Sequence, residues 1–156
     1  MKMAIVLLLG AVAATQAPSP ASPSAAATYF RDADLMATLK AAAKTAPDLH
    51  TAPVHNSAHY RINVVERNTP TGATAHPGFI EVHHIIRGSG TLVTGGTMVR
   101  PAQAGRGGAD AATTEGGDSR HVAAGDVIVI PAGSPHWYKD LDSPITYLEL
   151  RFEEVR

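Results

Sequence analysis

The chain has 156 residues, which is room for one domain, and it is close to charge neutrality, with 13 Lys and Arg against 14 Asp and Glu. This balance, without runs of basic residues, excludes the clustered positive charge that nucleic acid or a polybasic membrane surface requires. There is no cysteine, so stability must come from the core and not from disulfides. The eight histidines are the unusual feature of the composition.

The first 27 residues have the pattern of an export signal followed by a spacer. Lys2 precedes an apolar run from Met3 to Ala14, and small residues suited to signal cleavage follow it. The run is too short for a permanent membrane helix, which needs about 20 apolar residues. A Pro/Ser/Ala-rich tract to Ala27 predicts a flexible spacer. We therefore expect a secreted or periplasmic protein without a membrane partner after cleavage; the alternative is an N-terminal helix that is buried or lies on a membrane.

Residues 28–58 are predicted to form one α-helix and a connecting segment. The pattern is helical from Tyr29 to Thr45, where Leu35 and Leu39 lie four positions apart, and Pro47 ends it. Because the apolar face of this helix is weak, we expect it to pack on the outside of the domain.

Residues 59–156 have the signals of an all-β domain, because short apolar stretches alternate with Gly and Pro turns. We predict strands from Tyr60 to Glu66, Ala73 to His76, Phe79 to Ile86, Thr91 to Thr94, Thr97 to Arg100, Arg120 to Ala123, Asp126 to Ile130, His136 to Lys139 and Ile145 to Phe152. The Gly/Ala-rich segment from Pro101 to Ser119 is predicted to be a long loop. Many short strands with little helix indicate a β-sandwich or a barrel of jelly-roll type.

One predicted strand carries polar side chains on a single face. Glu81 and His83 are two positions apart, so they share a face and lie about 7 Å apart along the strand. The Pro77-Gly78 turn in front of the strand folds His76 back beside Glu81. A carboxylate and an imidazole brought together in this way are ligands that first-row divalent metals use.

A second stretch, G-D-V-I-V-I-P-A-G-S-P-H, runs from Gly125 to His136. A glycine turn, a β run and a Pro-x-Gly corner precede the histidine, which is the order of elements expected for one half of a site on a barrel wall.

These two stretches resemble the two conserved motifs of the cupin superfamily, and the resemblance covers residues 60–152. The second motif, G-x5-P-x-G-x2-H-x3-N, is matched at Gly125, Pro131, Gly133 and His136, with Asp140 in place of the usual asparagine. The first motif, H-x-H-x3-4-E-x6-G, is matched at His76, Glu81 and Gly88, with Thr74 in place of its first histidine. The chain is similar to small single-domain bacterial cupins of the type-2, conserved-barrel kind.

The resemblance implies an all-β jelly-roll (double-stranded β-helix) barrel, a homodimer and a divalent metal, which is Fe, Mn, Zn or Ni. Carried over residue by residue, the metal ligands are His76, Glu81 and His136, a set that leaves coordination positions open. His83 is the candidate catalytic residue, which either supplies the missing imidazole or moves a proton. The alternative for His83 is a pocket-lining side chain with a hydrogen-bond partner.

Three functions are compatible with these residues. The first is a divalent-metal-dependent enzyme of dioxygenase, isomerase or lyase type that acts on a small oxygenated molecule. The second is a non-catalytic barrel that binds a small molecule or sugar without metal. The third is a structural or storage barrel. The presence of Glu81 and His136 favours the enzyme, whereas Thr74 and the export signal favour the binding protein.

The remaining histidines are given structural roles. His84 lies on the opposite strand face and is expected to be exposed or structural. His50, His55 and His59 are expected in a solvated segment, and His121 on the surface.

Two further groups of charged residues have alternative interpretations. Arg61 and Arg87 either clamp a substrate carboxylate or are exposed strand arginines. Glu149 and Arg151 share a strand face with Tyr147, which predicts an ion-paired stripe at an interface.

Overall fold

The computed structural model describes residues 26–44, 46–101 and 111–154. Within them the chain forms the helix α1 (Asp32–Ala42) and the strands β1 (Leu49–Asn56), β2 (Tyr60–Arg67), β3 (Phe79–Arg87), β4 (Ser89–Thr94), β5 (Thr97–Val99), β6 (Thr113–Glu115), β7 (Asp118–Ala123), β8 (Val127–Ile130), β9 (His136–Leu141) and β10 (Ile145–Glu153). No helix in these ranges is long and apolar enough to cross a membrane. The predicted export signal and spacer, residues 1–27, lie outside the described residues except for residues 26 and 27.

Two antiparallel sheets enclose the core between them. The five-stranded sheet has the order β1-β2-β10-β3-β8 and the three-stranded sheet the order β7-β4-β9, while β5 and β6 form a separate ribbon. Because side chains alternate between the faces of a strand, each sheet presents one row of side chains inward. The inward rows of both sheets meet in one buried cluster of Val65, Ile85, Leu92, Val122, Tyr138, Ile145 and Tyr147. The predicted jelly-roll barrel is confirmed.

The helix α1 packs on the outer face of the five-stranded sheet, as predicted. Leu39 is buried against Ala52 and Val64, which point away from the barrel interior. Arg87, on the same sheet, forms an ion pair of 3.0 Å with Asp32 at the start of the helix. The helix is shorter than the predicted segment because the chain before Asp32 is extended.

The edge strand β1 was not predicted from the sequence. Its apolar positions are interrupted by His50 and Thr51, and Pro53 lies beside an irregularity in the register with β2. Proline is tolerated there because an edge strand makes ladder hydrogen bonds on one side only. The prediction of a solvated His50 is wrong: the ring is buried and hydrogen-bonded to the Glu66 carboxylate and the Ala46 carbonyl, each at 2.9 Å.

The other two histidines of this segment differ from each other. His55 is half-buried and stacks on Tyr60 with 5.5 Å between ring centroids, so its predicted solvation is also wrong in part. His59 is exposed, as predicted. The barrel sheet therefore begins in the segment expected to be a connection.

Two predicted segments differ from the structure in their secondary structure. The segment expected as a long loop holds β6 and the start of β7, while residues 102–110 lie outside the described ranges. The strand expected from Ala73 to His76 is reduced to a single bridge between Thr74 and His136.

Candidate metal centre

The neighbouring strands β2, β10 and β3 place polar side chains in rows on the inner face of the barrel. Each row is a cross-strand triplet, and the two rows are Arg61–Arg151–Glu81 and Asn63–Glu149–His83. Since residues two apart share a strand face, the rows are stacked along the sheet. Glu81, His83 and Glu149 are buried as a result.

The carboxylate of Glu81 is the point on which the histidines converge. The Nε2 atoms of His83 and His136 lie 3.6 and 3.7 Å from its Oε2 atom. The other oxygen, Oε1, accepts a hydrogen bond from Nδ1 of His76. The structure thus brings together the three predicted ligands, His76, Glu81 and His136, and the candidate catalytic residue His83.

Local backbone structure positions the two outer histidines. His76 precedes a turn at Gly78, whose φ of +79° favours glycine, and the turn reverses the chain so that His76 lies beside Glu81. His136 begins β9 and exchanges backbone hydrogen bonds of 3.0 and 2.8 Å with Thr74. Thr74 therefore lies next to the centre, but it offers a hydroxyl where the motif has an imidazole.

The ring of His136 is held in one tautomer. Its Nδ1 donates a hydrogen bond of 3.1 Å to the carbonyl of Ser134. Because a carbonyl only accepts, Nδ1 carries the proton and Nε2 of the neutral ring is a lone pair. Burial lowers the pKa of His136 to about 4, even though the charge of Glu81 raises it, so the ring is neutral at neutral pH.

The carboxyl group of Glu81 is ionised although it is buried. Burial raises its pKa, but the hydrogen bond from His76 and the adjacent imidazoles and guanidinium outweigh burial and hold the pKa well below its ordinary value. The lone pair of His136 Nε2 therefore faces a negatively charged oxygen at 3.7 Å. A cation placed between the two atoms would stabilise this arrangement.

His83 is buried between Tyr138 and Tyr147. Its ring centroid lies 4.5 Å from that of Tyr147, and its Nδ1 shares a hydrogen bond of 3.1 Å with the Tyr138 hydroxyl. Its Nε2 atom is buried and has no hydrogen-bond partner among the described residues. A ring oriented through one nitrogen with the other nitrogen free is the usual arrangement of a histidine that binds a metal.

The donor atoms fit a first-row divalent metal. Two atoms bound to one such ion at about 2.1 Å lie about 3.0 to 3.4 Å apart. The separations of 3.6 and 3.7 Å around Oε2 of Glu81 need only a small adjustment to reach that value.

Two overlapping sets of side chains have their donor atoms within 4.8 Å of one another: His76, Glu81 and His136, and Glu81, His83 and Glu149. In the second set Glu149 is already engaged, because its two oxygens accept hydrogen bonds of 2.6 Å from Arg151 and 2.8 Å from Asn63. The first set, with His83 beside it, is therefore the better metal site.

Glu149 and Arg151 belong to this centre, and their predicted place at an interface is wrong. They do form an ion pair, but both side chains face the inside of the barrel. Nε of Arg151 also lies 3.3 Å from Oε2 of Glu81. The sequence carries no local signal for this, because it depends on β10 lying between β2 and β3.

A cavity of about 720 Å³ opens beside the centre, which is enough for a small ligand. Its lining includes His76, Glu149 and Arg151, whereas Glu81, His83 and His136 are not among the lining residues. The cavity therefore meets the centre on the side of His76, Glu149 and Arg151.

The remaining predicted residues lie away from the centre or on the cavity wall. Arg61 lines the cavity, whereas Arg87 is exposed on the outside and contacts the helix. His84 is exposed, and His121 is exposed and paired with Asp142 at 2.7 Å.

The comparisons with known proteins rest on structure. No family model and no curated protein matches the sequence. The fold is similar to that of the DMSP lyase DddQ from Ruegeria pomeroyi, with 18% identity, a TM-score of 0.52 and coverage of 73% of this chain and 51% of that chain. A protein described as a predicted oxalate decarboxylase from Thermotoga maritima has 15% identity and a TM-score of 0.50, with coverage of 68% of this chain and 81% of that chain. The cupin domain of Cnp3 from Schizosaccharomyces pombe has 12% identity and a TM-score of 0.49, with coverage of 69% of this chain and 66% of that chain.

These likenesses concern the fold, since the identities are low, and the chain spans about half the length of the DMSP lyase. The chain has a jelly-roll barrel fold with one helix on the outside, similar to that of the lyase and of the Thermotoga maritima protein. Inside that barrel it carries a centre of one carboxylate and three histidines that can bind a metal.

Proposed function

We propose that this protein is a divalent-metal-dependent enzyme that acts on a small oxygenated molecule. His76, Glu81 and His136 would hold the metal, and His83 would add the imidazole that Thr74 does not supply. The observation that carries the proposal is the pairing of two electron-rich atoms, the free Nε2 of His136 and the ionised Oε2 of Glu81, 3.7 Å apart in a buried place.

The metal would act as a Lewis acid and as a template for the substrate. The chain's own residues have distinct tasks around it. Ser134 and Tyr138 orient the rings of His136 and His83 through their Nδ1 atoms. Of the four residues of the centre, only His76 lines the cavity, so its side of the centre faces a molecule bound there.

Burial of His83 bears on its expected catalytic role. The side chain is 1% exposed and does not line the cavity. A group that transfers a proton to substrate must come within hydrogen-bond reach of it. We therefore propose His83 as a ligand or positioning residue rather than as the acid or base.

The identity of the metal (Fe, Mn, Zn or Ni) and the reaction type belong to the same proposal. Two histidines and one carboxylate with open positions suit Fe(II) or Mn(II). Dioxygenation and metal-assisted isomerisation or lyase chemistry are both compatible with the centre. Oxygen uptake with catechols and keto acids separates these reactions.

The first test is the metal content of the purified protein after reconstitution with Fe(II) or Mn(II), measured by elemental analysis. We expect close to one ion per chain in the wild type, and its loss in Glu81→Gln and His136→Gln. His84→Gln is the matched control, because His84 lies on the opposite face of the same strand and is exposed.

Circular dichroism of each variant checks that the barrel is folded. A wild-type protein that stays free of metal after reconstitution contradicts the proposal.

One observation favours the second candidate, a barrel that binds a small molecule or sugar without metal. Nε of Arg151 already lies 3.3 Å from Oε2 of Glu81 and so supplies a positive charge next to it. A protein without metal that still binds small ligands in the cavity would support this function.

We also propose, from the sequence alone, that the chain is exported to the periplasm or secreted and forms a homodimer. The support is the pattern of the first 27 residues and the resemblance to small cupins. Cell fractionation and light scattering of the purified protein test the two statements.

A further inference from the structure

Arg61 on β2 is half-buried in the cavity wall and has no carboxylate partner among the described residues. Its guanidinium carbon lies 5.3 Å from the centre of the Phe79 ring, which holds the group in place. Its Nε atom is buried and without a hydrogen-bond partner in the described part of the chain. Leaving a buried donor of a charged group unpaired costs free energy, and the described residues do not offset this cost.

Two other arginines of the cavity are already engaged. Arg67 donates a hydrogen bond of 3.0 Å to the Tyr147 hydroxyl and lies over the rings of Tyr138 and Tyr147. Arg151 is paired with Glu149 at 2.6 Å. Arg61 therefore differs from both, because no carboxylate of the described residues is paired with its charge.

The lining of the cavity carries more positive than negative charge. Its charged residues, histidine apart, are Asp48, Arg61, Arg67, Arg100, Glu149 and Arg151. Arg61 and Arg151 also lie directly opposite each other on β2 and β10. Like charges in opposite positions of a sheet destabilise it, and an anion bound beside them offsets the repulsion.

We propose that the cavity binds a small organic anion through its carboxylate group, and that Arg61 is the residue that contacts this group. The planar fork of an arginine matches the two oxygens of a carboxylate. Apolar lining residues such as Val65 and Ala73 accommodate the carbon skeleton. The molecule then extends toward His76, at the boundary with the metal centre.

This inference names the substrate class of the proposed enzyme. It rests on the proposed function for the reaction that follows binding, but the binding itself is independent of a metal. The two ideas therefore fail separately. Loss of carboxylate binding leaves the metal content unchanged, and absence of metal leaves carboxylate binding unchanged.

The experiment is calorimetric titration of the full chain, freed of metal by a chelator, with malonate and with benzoate at millimolar concentrations. We expect at least one of the two to bind, and Arg61→Gln to weaken that binding by about tenfold or more, as loss of a charge-assisted contact does. Arg61→Lys keeps the charge and loses the fork, so an intermediate affinity is expected. Arg120→Gln is the control, because Arg120 is exposed and outside the cavity.

Malonamide and inorganic phosphate complete the design. Malonamide has the shape of malonate without its charge and is expected not to bind. Binding of phosphate without either carboxylate overturns the carboxylate assignment. Failure of both carboxylates, or equal affinity in the wild type and Arg61→Gln with thermal melts that show both folded, overturns the proposal.

Discussion

The tautomer of the buried His136 ring determines which of its nitrogen atoms can bind a metal. The carbonyl of Ser134 can only accept a hydrogen bond, so it fixes the proton of His136 on Nδ1 and leaves Nε2 toward Glu81. His83 is oriented in a similar way by the Tyr138 hydroxyl. One backbone contact and one side-chain contact thus orient two rings whose Nε2 atoms converge on one carboxylate.

The neutral state of His136 predicts a dependence of stability on pH in the metal-free protein. Its pKa is lowered from the ordinary 6.5 to about 4 in the folded chain, so below pH 6.5 the unfolded chain binds a proton that the folded chain does not. The free energy of unfolding should therefore fall by about 2 to 3 kcal/mol from this group as the pH drops from 6.5 to about 4. The lowered pKa of Glu81 acts in the same direction at lower pH.

Urea unfolding over this pH range, with a chelator present, measures the effect. His136→Gln should lose less stability on acidification than the wild type, whereas His84→Gln, a change at an exposed position, should follow the wild type. Parallel curves for the wild type and His136→Gln would show that the histidine is not held neutral by the fold.

At the scale of the elements, the turns set the strand registers on which the centre depends. Gly88 joins β3, which carries Glu81 and His83, to β4 of the opposite sheet. Its φ is +76°, and an added Cβ would lie 2.0 Å from the carbonyl oxygen of Pro144. Close backbone approach, and not only backbone conformation, therefore requires glycine at this position of the first motif.

Gly95 offers a matched comparison with Gly88. It has the same φ of +76°, but a Cβ there would have no atom within 4 Å. We expect Gly95→Ala to lower the free energy of unfolding by about 1 kcal/mol from backbone strain alone. Gly88→Ala adds overpacking to that strain, so its cost should be about 3 kcal/mol or more. Chemical denaturation of both variants measures the difference, and equal costs would contradict the steric argument.

At the scale of the whole molecule, the five-stranded sheet separates two environments. Its inner face carries the polar rows of the centre above an apolar cluster, and its outer face packs against α1 through Leu39, Ala52 and Val64. Because the sheet lies between them, the helix contributes to stability without touching the site.

Leu39→Ala tests this separation. Leu39 is 3% exposed, so the truncation should lower the free energy of unfolding by about 2 to 3 kcal/mol through lost burial and a cavity. The metal content of the folded variant should equal that of the wild type. Lys40→Ala, at an exposed position of the same helix, serves as the control. Loss of metal in folded Leu39→Ala would show that the helix does position the centre.

The features that depend on neighbouring residues can be predicted from the sequence. Period-two alternation placed Glu81 and His83 on one face, the Pro77-Gly78 turn brought His76 beside Glu81, and the Gly- and Pro-bounded stretch led to His136. The same local signals indicated a barrel with a helix outside. They missed β1, because polar residues and Pro53 interrupt its pattern at the sheet edge.

The surroundings of these residues depend on contacts between distant parts of the chain. Arg151 contacts a carboxylate 70 positions earlier in the chain, because β10 inserts between β2 and β3 in the sheet. The same insertion places Glu149 beside His83 and Arg151 opposite Arg61. Strand order is set by the packing of the whole core, and a strand carries no local mark of which distant strands it will pair with.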